Sequence, residues 1–124
     1  MAYHSKFMSV VGEEYHKLLD TDDKFTPLDG SSGVSMFSSV TGLKKDTPAD
    51  SLYWKTNMVS PVRFDDALKE MIKKDSPTFL IEIGPSGALA GPVSQVLKSL
   101  PNGGDVSYCA SWARGATPAS LFSM

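Results

Sequence analysis

The sequence has a single cysteine, Cys109, so no disulfide can form within the chain. A disulfide-stapled scaffold is excluded, and a reducing, cytoplasmic setting is expected. No apolar run approaches the roughly 20 residues of a membrane span, and residues 1–6 hold no signal-peptide stretch. Neither export nor a membrane partner is expected. Charge of one sign is also missing: the net charge is −2, with both signs scattered along the chain. Without a basic stripe, nucleic acid is not an expected partner. No phosphate loop, cysteine pair or histidine-rich spacing occurs, so no metal site is expected. No GxSxG nucleophile elbow is present either.

What the chain does have is enough apolar residue, 41% of 124, to bury the core of one modest domain. At that length a larger share of its surface stays wet than in a full enzyme domain. Phe7, Met8, Val11, Tyr15, Leu18 and Leu19 recur at threes and fours, which predicts a helix over 7–19 with Ser5 as N-cap. His16 falls on it at a solvated position. Residues 20–33, rich in Asp, Ser and Gly, read as a loop. Residues 34–40 read as a strand stopped by Thr41-Gly42, and 44–48 as a charged loop. Residues 51–58 suit one or two helical turns with Tyr53 and Trp54 packed inward.

Ser60-Pro61 predicts a helix start, with Ser as N-cap and Pro at the first helical position. Phe64, Ala67, Leu68, Met71 and Ile72 then line one face to about Lys74, and Pro77 ends it. Residues 79–83 are a near-continuous apolar run, suited to a strand covered on both faces. A helix carrying Leu89, Val93, Val96, Leu97 and Leu100 follows the turn Gly84-Pro85-Ser86-Gly87. Pro92 is tolerable in it only near the start or at a kink. Residues 101–104 stop it, 106–110 form a third strand with Cys109 as an inert buried thiol, and the tail after Arg114 suits a final helix. The alternation predicts an α/β layered fold with a mostly parallel sheet flanked by helices.

Two places could carry chemistry. Ala2-Tyr3-His4-Ser5 puts a histidine, which titrates near neutral pH, just before a helix. A lone histidine there is more often a surface or packing residue. Glu82-Ile83-Gly84-Pro85-Ser86-Gly87 ends a strand where open α/β sheets bind ligands. Its other reading is an ordinary strand-to-helix turn.

In order along the chain, these segments resemble the C-terminal part of a malonyl-CoA:acyl carrier protein acyltransferase domain of polyketide and fatty acid synthases. Ala2-Tyr3-His4-Ser5 is similar to the family's AFHS-type motif, and Phe37-Ser38-Ser39-Val40-Thr41-Gly42 to the next strand and turn. Tyr53-Trp54-Lys55-Thr56-Asn57-Met58-Val59-Ser60-Pro61-Val62-Arg63-Phe64 resembles its YW..N...PVRF segment. Phe79 to Pro85 resembles its EIGP segment, continued by Leu89-Ala90-Gly91-Pro92. The likeness runs from residue 2 to about 115, and the wording is most similar to fungal iterative polyketide synthases.

The resemblance implies that residues 1–124 are a partial acyltransferase domain, part of an α/β-hydrolase-like large subdomain that follows a ferredoxin-like insert. The insert and the N-terminal half, with the serine elbow, the oxyanion partner and the malonyl-binding arginine, would lie upstream; Arg63 and Arg114 are not at that arginine's position. It implies a ping-pong transfer of malonyl from coenzyme A to the phosphopantetheine arm of an acyl carrier protein, through a serine acyl-enzyme. No cofactor would be bound by the domain itself, and neighbouring synthase domains would be its other partners. His4 matches the catalytic base, and Asn57 matches the residue that holds it by accepting a hydrogen bond. Tyr3 and Ser5 flank the base on the substrate side, where the bulk of Tyr3 favours malonyl over its methyl-branched analogue. The chain alone is expected to be inactive. The other readings are a non-catalytic remnant that docks or scaffolds, and an unrelated α/β enzyme.

Overall fold

The computed structural model describes residues 3–27 and 33–112. The chain divides into two compact units, Met1–Glu70 and Met71–Met124. The tail proposed as a final helix lies outside the described residues. No helix among the described residues is long and apolar enough to cross a membrane.

The first unit is built on a helix pair. A 3-10 turn, Lys6–Met8, leads into α1 (Ser9–Thr21). The expected apolar face is only partly used. Met8 and Gly12 are buried, while Phe7, Val11 and Leu18 are exposed. At 100° per residue the apolar set is wide enough to form two neighbouring rows. The row through Met8 and Gly12 is the one that packs inward. His16 is half-buried rather than fully solvated, with Nε2 3.4 Å from Asp20 Oδ2.

The second helix of the pair, α2 (Ser51–Val59), begins where Asp50 caps it, its carboxylate accepting the Tyr53 N–H at 2.8 Å. Ser51 donates to Asp20, Lys55 pairs with Glu13, and Val59 lies against Gly12. Rising numbers in α2 meet falling numbers in α1, so the two helices run antiparallel. The Lys55 hydrogen bond and charge hold the Glu13 carboxyl below its usual range.

The first predicted strand is shorter and differently placed than expected. β1 (Met36–Ser38) pairs antiparallel with β2 (Leu43–Lys45) in a sheet of its own. Residues read as a charged loop therefore form a strand. Gly42 makes this possible: its φ of +75° closes the turn and its N–H bonds Ser38 O at 2.7 Å. A Cβ there would stand 2.7 Å from Asp66 Cβ. Ser38 is buried, and its hydroxyl sits 2.8 Å from the Tyr53 hydroxyl. Tyr53 also carries Lys45 Nζ over its ring at 4.4 Å. Trp54, expected inside, is on the exposed side of α2.

The third helix, α3 (Phe64–Asp75), begins later than Ser60-Pro61 predicted. Ser60 instead ends α2 in an extended conformation, the one favoured before proline. The Arg63 N–H is spent on Ser39 O at 2.6 Å, and the Arg63 carbonyl accepts from Ala67, so the helix starts after Arg63. Its acidic first turn and basic last turn complement the helix dipole, and Ala67, Leu68 and Ile72 are buried as the periodicity predicts.

In the second unit, β3 (Phe79–Glu82) and β4 (Ser107–Ala110) pair in parallel, Phe79 against Ser107 through Glu82 against Ala110. The helix α4 (Ala90–Ser99) connects them and buries Val93 and Val96. Pro92 stands in its first turn, where a missing N–H costs no helical bond. The architecture is thus α/β, but its parallel sheet has two strands among the described residues, and the largely parallel three-stranded sheet is not formed. Nor is β3 covered on both faces: Phe79 and Ile81 are more than half exposed.

Candidate functional site

Helix α2 ends at Val59 because Pro61 forces the residue before it out of the helical region. Its last carbonyls have no intrahelical N–H to accept from. Two of them are taken by the histidine. The His4 N–H donates to Met58 O at 2.8 Å, and the ring Nδ1 lies 2.8 Å from the main-chain oxygen of Asn57. Asn57 was expected to hold His4, and the structure brings the two together through the backbone of Asn57. Because a carbonyl can only accept, Nδ1 must carry the proton. In the neutral ring, Nε2 then holds the lone pair.

This double contact needs an unusual backbone. His4 has φ +59°, a left-handed conformation that costs an L-residue roughly 1–2 kcal/mol. Ser5 returns to an extended conformation, and its carbonyl accepts the Met8 N–H at 3.1 Å, which starts the 3-10 turn. The Tyr3 ring is half exposed, 6.4 Å from the His4 ring centre to centre. Tyr3, His4 and Ser5 therefore form one short stretch at the carbonyl end of α2, while Ala2 lies outside the described residues.

The second candidate segment is a closed turn. The Glu82 carboxylate at the end of β3 accepts the Leu89 N–H at 3.1 Å, just ahead of α4. It also accepts the Tyr108 hydroxyl from β4. Gly87 takes φ +61°, where an added Cβ would meet Ala110 Cβ at 3.1 Å. Ser111 continues the ladder through its N–H to Glu82 O at 2.8 Å. Glu82 thus ties strand, turn and helix together by accepting from Leu89, Tyr108 and Ser111, which is the arrangement of a structural strand-to-helix junction.

Over 117 residues, 94% of its length, the chain is 54% identical to a highly reducing polyketide synthase of Eupenicillium brefeldianum. It is 49% identical to a second such synthase, from Arthrinium phaeospermum, and 48% identical to a low-reducing polyketide synthase of Aspergillus calidoustus. Its relatives are fungal polyketide synthases. The chain spans about 5% of the length of these multidomain proteins. No protein-family model matches it.

In the structure, two residues stand out that the motifs did not mark. Met58 contributes its carbonyl to the His4 main chain, and Gly12 lets α1 approach the same end of α2. The signal for Met58 was in the sequence: a proline three residues on implies unpaired carbonyls just before it.

The Glu82 contact has a titration consequence. Its hydrogen bond, with a smaller contribution from burial, pushes the Tyr108 phenol up to about 12. A raised value means that this contact supports the fold fully below the phenol's ordinary ionisation, about 10. The support is lost as pH rises through about 12. Ultraviolet titration, with Tyr108→Phe subtracted, should find one phenol ionising near that pH, and Glu82→Gln should return it toward the ordinary value. A phenol indifferent to Glu82→Gln would contradict the bond.

Proposed function

We propose that this chain is the part of a polyketide synthase acyltransferase domain, within an α/β-hydrolase-like subdomain, that supplies the general base. The activity would be the transfer of malonyl from coenzyme A to the phosphopantetheine thiol of an acyl carrier protein. The observation that carries the reading is the His4 ring, fixed through Nδ1 on the Asn57 carbonyl with Nε2 left to accept a proton. The synthase relatives and the acyltransferase-like order of the motifs support it.

In this reading Nε2 removes the proton of a serine hydroxyl supplied by another part of the synthase. The serine oxygen attacks the malonyl thioester, and the coenzyme A thiol leaves with the proton that His4 returns. The second half runs the same steps with the carrier thiol as nucleophile. A helix C-terminus favours positive charge beside it, so the Asn57 and Met58 carbonyls support the ring while it holds the proton. Asn57 O does the work that a carboxylate does in the usual triad. Tyr3 and Ser5 flank the reacting acyl group, and Tyr3 leaves little room for a branch methyl.

In the full-length synthase, His4→Ala should slow malonyl loading by about 100-fold or more, the scale of a general base, with circular dichroism unchanged. Loading at near the wild-type rate would refute the reading. Tyr3→Ala should improve methylmalonyl relative to malonyl by about tenfold, within the ~1–3 kcal/mol that one methyl commands. An unchanged ratio, measured by competition between the two thioesters, would remove Tyr3 from the selectivity.

A further inference from the structure

We propose that Gly12 is a positioning residue for His4: by letting α1 lie against the last turn of α2, it sets where the Asn57 and Met58 carbonyls stand relative to the histidine. The inference rests on the reading of His4 as general base.

Glycine is a poor helix former, and Gly12 sits inside α1, three residues from its start and nine from its end. It is buried. No turn or positive φ calls for a glycine there, whereas Gly33, Gly42 and Gly87 have positive φ. Close approach does: an added Cβ would stand 2.9 Å from Val59 Cγ1 and 3.6 Å from Lys55 Cγ. The nearer neighbour is a β-branched side chain, which has one strongly preferred rotamer in a helix and cannot readily swing aside. Relief would therefore come from widening the gap between the helices.

That gap is coupled directly to the histidine. Val59 follows Asn57 and Met58 in the same turn of α2, and those two carbonyls hold the ring and the main chain of His4 at 2.8 Å each. His4 is joined to α1 only by Ser5 and the 3-10 turn, so it travels with α1. Pushing the helices apart at Gly12 stretches both hydrogen bonds at once. Farther along the pair, Ser51 donates to Asp20, while Lys55 pairs with Glu13 beside Gly12. The Asp20 tie holds the far end of the pair together, so a wedge at Gly12 opens the end that carries His4.

The test uses the full-length synthase and the single-turnover rate of malonyl loading. Gly12→Ala should lower the rate while leaving KM for malonyl-CoA in place, and Gly12→Leu should lower it further. A loss of about 10- to 100-fold is expected for Leu, the scale of a misplacement of up to 1 Å. Adding Val59→Ala to Gly12→Ala should restore the rate, because it removes the atom that the new methyl meets. In a His4→Ala background, Gly12→Ala should cost nothing more. A glycine that served only to pack the two helices gives a different pattern: Gly12→Ala would lower thermal stability, and its effect on loading would persist in the His4→Ala background.

Wild-type loading by Gly12→Ala and Gly12→Leu, with His4→Ala inactive, would overturn the positioning role and leave the base assignment standing. A loss that Val59→Ala does not rescue, or that persists in the His4→Ala background, would also overturn it. Normal loading by His4→Ala would instead bring down the base assignment on which the inference stands.

Discussion

The unpaired carbonyl end of α2 is the constraint on which the candidate site depends. A helix stopped by a nearby proline must place its last carbonyls somewhere. Here Asn57 O and Met58 O take the ring and the backbone of one histidine, 53 residues away in sequence from Asn57. Several features of the first unit either deliver that end or deliver His4 to it. Asp50 fixes where α2 begins, Pro61 fixes where it stops, and the antiparallel contact with α1 sets the distance between the two. The left-handed backbone of His4 is a local cost that the two hydrogen bonds offset.

Much of this was legible in the sequence because it is local. The periodicity of α3 and α4, the tolerance of Pro92 in a first turn, and the strand-turn-helix run at Glu82–Leu89 all follow from spacing and turn chemistry. What the sequence hid is tertiary. Leu43–Lys45 looks like charged loop, and becomes a strand only because Gly42 turns the chain back onto β1. Ser60-Pro61 carries the chemistry of a helix start, yet Arg63 is held by Ser39, and that bond decides where α3 begins. The site itself shows both sides. His4 and Asn57 could be paired by resemblance to a known family, but periodicity alone gives no sign that the main chain of Asn57, rather than its amide, meets the ring.

The exposed apolar residues form a consistent group. Phe7 in the 3-10 turn, Val10 and Leu18 on α1, and Phe79 and Ile81 of β3 with Ile83 just beyond it, are all left exposed among the described residues. The apolar run 79–83 reads as a strand for a covered sheet, and the periodicity of 7–19 reads as a broad buried face. Both readings describe more cover than these residues provide. The chain spans about 5% of the length of its polyketide synthase relatives.

A main-chain carbonyl at a helix end fixes the tautomer of His4. Nitrogen-15 magnetic resonance of the imidazole, at a pH where the ring is neutral, tests it most directly. The expected result is a proton on Nδ1 and a bare Nε2, with the Nδ1 proton shifted by its bond to Asn57 O. A ring that carries its proton on Nε2 and leaves Nδ1 bare would contradict it.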